Sequence, residues 1–365
     1  MPRALRAGQG DLVRTSFHPL RVAAVEPLCE DAAAVTFDVP DDLAERFAFR
    51  AGQSLTLRRV VDGHDERRSY SLCAPEGGPL RIGVREVPGG LFSSWLVRDL
   101  RPGDVVEALP PLGSFVPDLT VPAHHALIGA GSGITPLLAI AASALADPKA
   151  RVTLLYGNRR SDSVMFADEL ADLKDRYPER FHLVHVLSRE PRESELLSCR
   201  LDAEHLDAVL RALVDVPDVD HWWLCGPLGM TEDARAVLSG RGVAAERIHR
   251  ELFYAEDEEP PPAVSHEDRG PDGPSAELEL TLDGRVSTLR MPVGETVLDA
   301  AQRARPDLPF ACKGGVCGTC RALVVSGEVR MRRNFALEDA ELTAGYVLTC
   351  QAEPVSERVV LDYDS

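Results

Sequence analysis

The chain has 365 residues, of which 44% are hydrophobic and 27% are charged, and its formal net charge is −18. This length favours two or three domains, and the composition is that of a globular protein with enough apolar residues for real cores. So acidic a chain is a poor match for nucleic acid or an anionic membrane, and no apolar run reaches the roughly 20 residues that cross a bilayer. Residues 1–17 lack the apolar segment of a secretory signal, so we expect a cytoplasmic protein.

Three predicted domains, with a linker before the last, follow the N-terminal extension of residues 1–17. Residues 18–122 hold short alternating segments separated by turns, such as Ser54–Val61, and predict an antiparallel β-barrel. Residues 123–254 alternate apolar strands with helical patterns, such as Met165–Arg176 and Ala203–Leu213, and predict an α/β domain with a parallel sheet. An acidic, proline-rich tract over 255–275 has linker composition. Residues 276–365 form a third domain, of the α+β class, so the predicted fold is multi-domain.

Four of the eight cysteines lie close together near the C-terminus: Cys312, Cys317, Cys320 and Cys350. The first three form C-x₄-C-x₂-C, which is the spacing of the ligands of a plant-type [2Fe–2S] cluster. Glycines at 314, 315 and 318 allow the backbone to approach the sulfur atoms closely and to point N–H groups at them. A structural zinc site is the alternative, although zinc typically takes paired short C-x₂₋₄-C ligands.

The residues before these cysteines predict a hairpin over 278–291 and a helix over Gly294–Arg303. This order of elements resembles a β-grasp ferredoxin, and the resemblance covers Ala276 to Ser365.

A second motif, Arg68-Ser69-Tyr70-Ser71, resembles the R-x-Y-S motif of the ferredoxin–NADP reductase superfamily. A guanidinium group suits phosphate, an aromatic face suits a flat ring, and Arg68 and Tyr70 share one face of a strand. The resemblance implies that Arg68 pairs with a flavin phosphate, that Tyr70 packs on the flavin ring and that Ser71 hydrogen-bonds near its N5 atom. The alternative is an exposed strand with an ordinary core tyrosine.

Gly89-Gly90-Leu-Phe-Ser93 resembles the G-x-x-S segment with which this superfamily binds pyrophosphate at the start of a helix. Glycines and a helix N-terminus suit an anion. The resemblance implies FAD rather than FMN.

A glycine-rich turn follows an apolar strand and opens a helix. It lacks the strict G-x-G-x-x-G pattern of dinucleotide-binding proteins but resembles the reductase variant G-x-G-x-G-x-T-P, through Gly129, Gly131, Gly133, Thr135 and Pro136. We expect Pro136 at the first helical position. The free N–H groups of the turn would hold the pyrophosphate of a nicotinamide dinucleotide; a simple strand–helix turn is the alternative.

Two shorter motifs complete the predicted active site. Cys225-Gly226-Pro227 resembles the C-G-P of the superfamily, which implies a cysteine beside the nicotinamide ring, whereas an ordinary buried cysteine is the alternative. Glu251-Leu-Phe253 resembles the terminal E-x-F, which implies an acid and an aromatic ring near the flavin.

The choice of nicotinamide cofactor depends on residues at the ends of two successive strands. Arg159 follows the first strand and Ser188-Arg189 follows the second, where the adenosine ribose should lie. Ser188-Arg189 resembles the pair that meets the 2′-phosphate in plant-type reductases, whereas an acidic residue there would favour NADH. We therefore expect NADPH rather than NADH; solvent-facing arginines are the alternative.

The flavin, nicotinamide and cluster motifs occur in the order found in oxygenase reductases with a C-terminal ferredoxin domain, which the chain resembles from about Phe17. This resemblance implies electron transfer from NAD(P)H to FAD, to the [2Fe–2S] cluster and on to a partner oxygenase. Within the class, Met331–Glu338 and Ala344–Gln351 resemble reductase components of phenylacetyl-CoA epoxidases. Reductases of Rieske-type hydroxylases, such as 3-ketosteroid 9α-hydroxylase, are the alternative. A flavin and cluster redox regulator, or an inactive zinc-stabilised scaffold, would be other classes, but the complete motifs argue against both.

Overall fold

A computed structural model describes residues 16–61, 63–253, 275–292 and 294–365. The chain divides into two compact units, residues 19–262 and residues 263–365 with residues 1–18. The N-terminal extension up to residue 15 and the predicted linker, except Ser275, lie outside the described residues. Among the helices in these ranges, none is long and apolar enough to cross a membrane.

The first unit begins with the predicted flavin-binding barrel, which consists of strands β1 to β6 and is called the flavin barrel. The strands form one antiparallel sheet in the order β4-β3-β6-β1-β2-β5, and a bridge between Leu72 and Ile82 joins its two ends into a barrel. The short helix α1 (Leu91–Ser94) continues as a π-helical turn over Trp95–Asp99. The strands are β1 (His18–Cys29), β2 (Ala32–Asp38), β3 (Ser54–Val61), β4 (His64–Ser71), β5 (Leu80–Arg85) and β6 (Val105–Ala108).

The same unit continues with a nucleotide domain, in which five parallel strands have the order β11-β10-β7-β8-β9. Adjacent residues of one strand, such as Leu127 and Ile128, belong to the apolar cores on opposite faces of the sheet. Burial on both faces explains why these strands are continuous apolar runs. The strands are β7 (His124–Ala130), β8 (Arg151–Asn158), β9 (Phe181–Leu187), β10 (His221–Gly226) and β11 (Ile248–Leu252). The helices are α2 (Ile134–Ala144), α3 (Ala167–Arg176), α4 (Ala203–Leu213) and α5 (Leu228–Gly240).

Two helix starts differ from the sequence expectation. Helix α2 begins at Ile134 after a 3₁₀ turn over Gly131–Gly133, so Pro136 is its third residue and the expectation of a first-position proline is wrong. The missing N–H of Pro136 still falls in the first turn, where N–H groups have no acceptor within the helix. Helix α3 begins at Ala167 rather than Met165, because Phe166 takes a left-handed conformation with φ 59° and ψ 33°.

The second unit contains a mixed sheet in the order β13-β12-β18-β14-β16, with β12 and β18 parallel, and a small sheet of β15 and β17. Asp283 and Gly284 in the predicted hairpin turn both have positive φ, as a type I′ turn requires. The predicted helix before the cysteines is present but shorter. The strands are β12 (Ser275–Leu282), β13 (Arg285–Pro292), β14 (Arg321–Ser326), β15 (Val329–Met331), β16 (Tyr346–Leu348), β17 (Ala352–Pro354) and β18 (Arg358–Asp362). The helices are α6 (Val297–Gln302) and α7 (Asp339–Thr343).

Candidate active site

The R-x-Y-S residues lie on β4 of the flavin barrel. The half-exposed Arg68 guanidinium forms an ion pair of 3.0 Å with Glu66 Oε2. Because a solvent-accessible ion pair contributes at most about 1 kcal/mol to stability, a phosphate group can displace Glu66 from Arg68. Tyr70 packs against Phe92 of α1 with ring centroids 6.0 Å apart, and burial raises the pKa of its phenol. Ser69 Oγ lies 3.1 Å from Thr56 Oγ1. The strand therefore offers a displaceable cation and an aromatic ring, the two groups that a flavin phosphate and a flavin ring require.

The Gly89–Ser93 segment forms the entry to α1, as the sequence predicted. Gly89 has φ 75°, a conformation that favours glycine, and Gly90 is the N-cap residue. A Cβ atom on Gly90 would lie 2.7 Å from Ser93 Oγ, which itself accepts a hydrogen bond of 3.0 Å from Val87 N–H. Ser93 thus fixes the shape of this turn, and its hydroxyl proton is left to donate elsewhere.

The three glycines of the G-x-G-x-G turn meet three different steric demands. A Cβ atom would lie 2.6 Å from Leu137 Cδ1 at Gly129 and 2.1 Å from Cys225 O at Gly133. Gly131 has φ 56°, and its carbonyl oxygen accepts a hydrogen bond of 2.9 Å from the Tyr156 hydroxyl. The turn lies at the carboxyl ends of β7 and β10, where the strand order reverses, which is the ligand-binding position of open α/β sheets.

Three predicted residues from three different strands meet beside this turn. The Ser71 hydroxyl donates a hydrogen bond of 2.9 Å to Glu251 Oε2, and Glu251 is paired in register with Cys225. Burial raises the pKa of Glu251 to about 7, against the opposing effect of the Ser71 hydrogen bond. Burial, and then the neighbouring Glu251, raise the pKa of Cys225. Cys225 therefore remains a thiol at neutral pH, whereas Glu251 can hold or release a proton.

The remaining parts of the two short motifs lie around this meeting point. Gly226 has φ 156°, and a Cβ atom on it would lie 2.8 Å from Met230 Cε. Pro227 is the N-cap residue of α5. Phe253 packs against the apolar core that also contains Cys225. The C-G-P and E-x-F segments are thus brought together by the pairing of β10 and β11.

The residues predicted to select the nicotinamide cofactor lie side by side at the ends of β8 and β9. Ser188 N–H donates to Asn158 O at 2.9 Å, and Arg189 N–H donates to Arg159 O at 2.8 Å. Both arginine side chains are exposed, and within the described ranges neither forms an ion pair. Two guanidinium groups and a hydroxyl therefore border the carboxyl edge of the sheet, an arrangement that suits an anionic group.

Two residues to which the sequence assigned no role also border the glycine-rich turn. The Arg85 guanidinium donates to Ser163 O at 2.5 Å and reaches Gly131, where a Cβ atom would lie 3.1 Å from Nη1. Tyr156, which bonds Gly131 O, is fully buried. Arg85 is the last residue of β5, in which every second residue is a large apolar one. The sequence therefore offered only a charged residue at a strand end as a sign of this role.

The four predicted cluster ligands lie in two neighbouring loops of the second unit: Cys312, Cys317 and Cys320 between α6 and β14, and Cys350 between β16 and β17. Cys320 and Cys350 are buried, whereas Cys312 and Cys317 are partly exposed. The N–H groups of Gly314 and Val316 point at Cys312 Sγ from 3.3 and 3.5 Å. The Cys317 side chain, together with these N–H groups, lowers the pKa of Cys312 to about 6. The loop therefore stabilises thiolate at this position, as metal ligation requires.

The cysteines are arranged as two pairs. The Cys317 side chain acts on the pKa of Cys312, and the Cys350 side chain acts on the pKa of Cys320, so the two members of each pair are neighbours. Two thiolates for each of two irons is the ligand set of a [2Fe–2S] cluster, whereas one structural zinc ion needs four ligands around a point. The residues present therefore fit the cluster better than zinc.

Comparison with known proteins agrees with these three sites. Models of an oxidoreductase FAD-binding domain, an oxidoreductase NAD-binding domain and a 2Fe-2S iron-sulfur cluster binding domain match residues 19–116, 127–236 and 280–355. The chain is 41% identical to a subunit of the 1,2-phenylacetyl-CoA epoxidase of Escherichia coli strain K12, over 96% of this chain and 99% of that one. It is 33% identical to the ferredoxin reductase component of the 3-ketosteroid-9-alpha-monooxygenase of Rhodococcus rhodochrous, over 94% and 96% of the two chains.

Among solved structures, phthalate dioxygenase reductase has the same fold, with a TM-score of 0.58 at 24% identity over 95% of this chain and 98% of that one. The flavin strand, the glycine-rich turn and the four-cysteine loop define an electron-transfer flavoprotein with an iron–sulfur domain. Because its identity to full-length relatives exceeds 30%, the chain belongs to the oxygenase reductases of the ferredoxin–NADP reductase superfamily that carry a C-terminal [2Fe–2S] domain. In this class FAD takes a hydride from NAD(P)H, and the cluster passes on single electrons.

Proposed function

We propose that this protein supplies electrons to an oxygenase of the phenylacetyl-CoA epoxidase type. The observation that carries the proposal is the 41% identity to one subunit of such an epoxidase over nearly all of both chains. The corresponding identity to the reductase of the 3-ketosteroid monooxygenase from Rhodococcus rhodochrous is 33%, which makes a Rieske-type oxygenase the second candidate partner.

The proposal assigns roles to the residues of the flavin barrel. Arg68 pairs with a phosphate of FAD, with Ser69 beside it, and Tyr70 packs on the flavin ring. Gly89, Gly90 and Ser93 hold the pyrophosphate at the start of α1, where the first N–H groups of a helix have no acceptor within the helix and the Ser93 hydroxyl proton is available. The Gly90 N–H itself donates to Val87 O at 2.8 Å, so Gly90 contributes the shape of the turn. The barrel is assigned to residues 18–122, the nucleotide domain to 123–254 and the cluster domain to 276–365.

The nucleotide domain binds and orients the nicotinamide cofactor in this proposal. The turn Gly129–Pro136 receives the pyrophosphate on its N–H groups, with Thr135 fixing the turn through a hydrogen bond of 2.9 Å to Ser132 O. Arg159, Ser188 and Arg189 receive the 2′-phosphate, which makes NADPH the preferred donor over NADH.

The segments around β10 and β11 arrange the place of hydride transfer. Cys225, with Gly226 and Pro227, borders the nicotinamide ring, and Phe253 packs beside it. Glu251 and Ser71 form a hydrogen-bonded pair whose carboxyl group titrates near neutral pH. This pair can hold a proton on the Glu251 carboxyl group beside the flavin N5 position and exchange it as electrons leave.

The partner is tested by reconstitution with purified oxygenase components. The full-length protein, NADPH and the oxygenase components of a phenylacetyl-CoA epoxidase should consume oxygen in step with phenylacetyl-CoA. The same reductase with 3-ketosteroid monooxygenase oxygenase and its steroid substrate should turn over more slowly. Cys317→Ser is the matched control, because it should bind both cofactors of hydride transfer without relaying electrons. Faster turnover with the steroid system would assign the protein to the second partner.

A further inference from the structure

One face of β5 in the flavin barrel is turned towards the nucleotide domain. Leu80, Ile82 and Val84 belong to the barrel core, so the alternating residues Arg81, Gly83 and Arg85 lie on the opposite face. Arg81 forms an ion pair of 3.1 Å with Glu169 of α3, and Arg85 donates to Ser163 O. These two contacts flank Gly83 and fix the strand against the nucleotide domain.

Gly83 occupies a place where no side chain fits. A Cβ atom on it would lie 2.4 Å from Thr135 Cγ2 and 2.8 Å from Phe166 Cζ. Its φ angle lies outside the left-handed range, so the backbone itself would accept any residue. A glycine weakens the interior of a strand, and the close approach of the two neighbouring side chains is therefore the physical reason for this one.

The two neighbouring side chains are themselves held firmly. Thr135 and Phe166 are each only 1% exposed. Phe166 has the left-handed conformation described above, and the Arg81 guanidinium lies 5.4 Å from its ring centroid. The Thr135 hydroxyl is bonded within the glycine-rich turn. Neither neighbour can move away from Gly83 without disturbing the turn or the start of α3.

Gly83 also lies close to β4, the strand that carries the R-x-Y-S residues. Its neighbour Ile82 is bridged to Leu72, which directly follows Ser71 of β4. A short path thus leads from the flavin motif through Leu72, Ile82 and Gly83 to Thr135 of the nicotinamide-binding turn. The distance between Gly83 and Thr135 therefore contributes directly to the distance between the two cofactor sites.

We propose that Gly83 is a positioning residue, whose missing side chain sets the spacing between the nicotinamide-binding turn and the flavin strand for hydride transfer. The inference rests on the proposed locations of the two cofactors. A methyl group at position 83 would push Thr135 outwards, and a misplacement near 1 Å in such reactions costs roughly 100-fold in rate.

The test compares flavin-loaded Gly83→Ala with the wild-type protein in anaerobic stopped-flow experiments. The limiting rate of flavin reduction at saturating NADPH should fall roughly 10- to 100-fold. The dissociation constant for NADPH and the FAD content should stay near wild type, and NADPH deuterated at nicotinamide C4 should show a full primary isotope effect. Gly240→Ala is the matched control, because nothing lies within 4 Å of a Cβ atom there and its φ is outside the left-handed range; it should behave as wild type.

A double variant separates spacing from general damage. Thr135→Ser removes Cγ2, the atom closest to the new methyl group, but keeps the hydroxyl that bonds Ser132 O. Gly83→Ala/Thr135→Ser should therefore recover part of the rate of Thr135→Ser alone, because Phe166 Cζ still lies 2.8 Å from the added Cβ atom, and the double-mutant cycle should show coupling between positions 83 and 135.

Three results would overturn the inference: a wild-type rate in flavin-loaded Gly83→Ala, a loss only in proportion to missing FAD, or no recovery in the double variant. If Gly83→Ala alone fails to load FAD, the flavin reduction rate of the double variant decides between the two roles. Recovery of FAD loading and of the rate supports the spacing role, whereas failure of both variants to load FAD shows that Gly83 is required only for folding. If NADPH does not reduce the wild-type flavin at all, the proposed cofactor sites are wrong and the inference is lost with them.

Discussion

Replacing Glu251 with Gln should remove a loss of stability that the wild-type protein suffers as pH rises. Burial raises the pKa of this carboxyl group from 4.5 to about 7 in the folded protein. The folded state therefore binds more protons than the unfolded state between these values. The contribution of Glu251 to the free energy of unfolding is therefore most favourable below pH 4.5, falls as pH rises through this window and reaches its lower level above pH 7.

The size of this loss in the free energy of unfolding follows from the pKa shift of Glu251. A difference of about 2.5 pKa units at 1.36 kcal/mol per unit gives an upper limit of about 3 kcal/mol. Glu251 is partly accessible to solvent, and screening by water should reduce this limit to about 1.5 kcal/mol. For a unit of this size, that free energy corresponds to a change of about 3–6 °C in melting temperature.

The assay is thermal unfolding of the flavin-loaded, full-length protein, followed by the release of flavin fluorescence from pH 5 to 8.5. Glu251→Gln should melt about 3–6 °C above the wild type at pH 8.5, and the two curves should approach each other at low pH. Ser71→Ala should steepen the wild-type pH dependence, because it removes a hydrogen bond that favours the ionised carboxylate. Glu246→Gln, at an exposed carboxyl group, is the matched control. Parallel curves for wild type and Glu251→Gln at all pH values would refute the reasoning.

Other variants test the remaining sites. Cys317→Ser should abolish electron delivery to an oxygenase while NADPH still reduces ferricyanide through the flavin; loss of both activities in folded protein would contradict this division of labour. Arg189→Ala should remove about 1.5–3 kcal/mol of binding to the 2′-phosphate, roughly a 10- to 150-fold rise in the KM for NADPH. An equal rise in the KM for NADH would argue against a phosphate contact. Gly133→Ala would place Cβ 2.1 Å from Cys225 O and should cost about 1–3 kcal/mol or more in unfolding free energy, whereas Gly229→Ala has open space and should be neutral.

The sequence alone determined those features that depend on residues close together in the chain. The spacing of Cys312, Cys317 and Cys320, the R-x-Y-S strand and the glycine-rich turn each bring their groups together through local backbone geometry. Alternation of period two predicted the barrel strands, and continuous apolar runs predicted strands buried on both faces. The positive φ angles of Asp283 and Gly284 likewise follow from a turn of two residues between two strands.

Only the tertiary structure decided how groups far apart in the chain act on one another. Ser71 and Glu251 are separated by 180 residues, and the hydrogen bond between them exists because β4 of the barrel meets β11 of the nucleotide domain. The pKa of Glu251 depends on that burial, which no local pattern reports. Gly83 gave no sequence signal, since its role depends on how closely Thr135 approaches. Pro136 is the third rather than the first residue of α2, because the helix begins at Ile134, directly after the 3₁₀ turn. Local sequence limits backbone conformation, whereas distances between elements are set by packing of side chains from the whole unit.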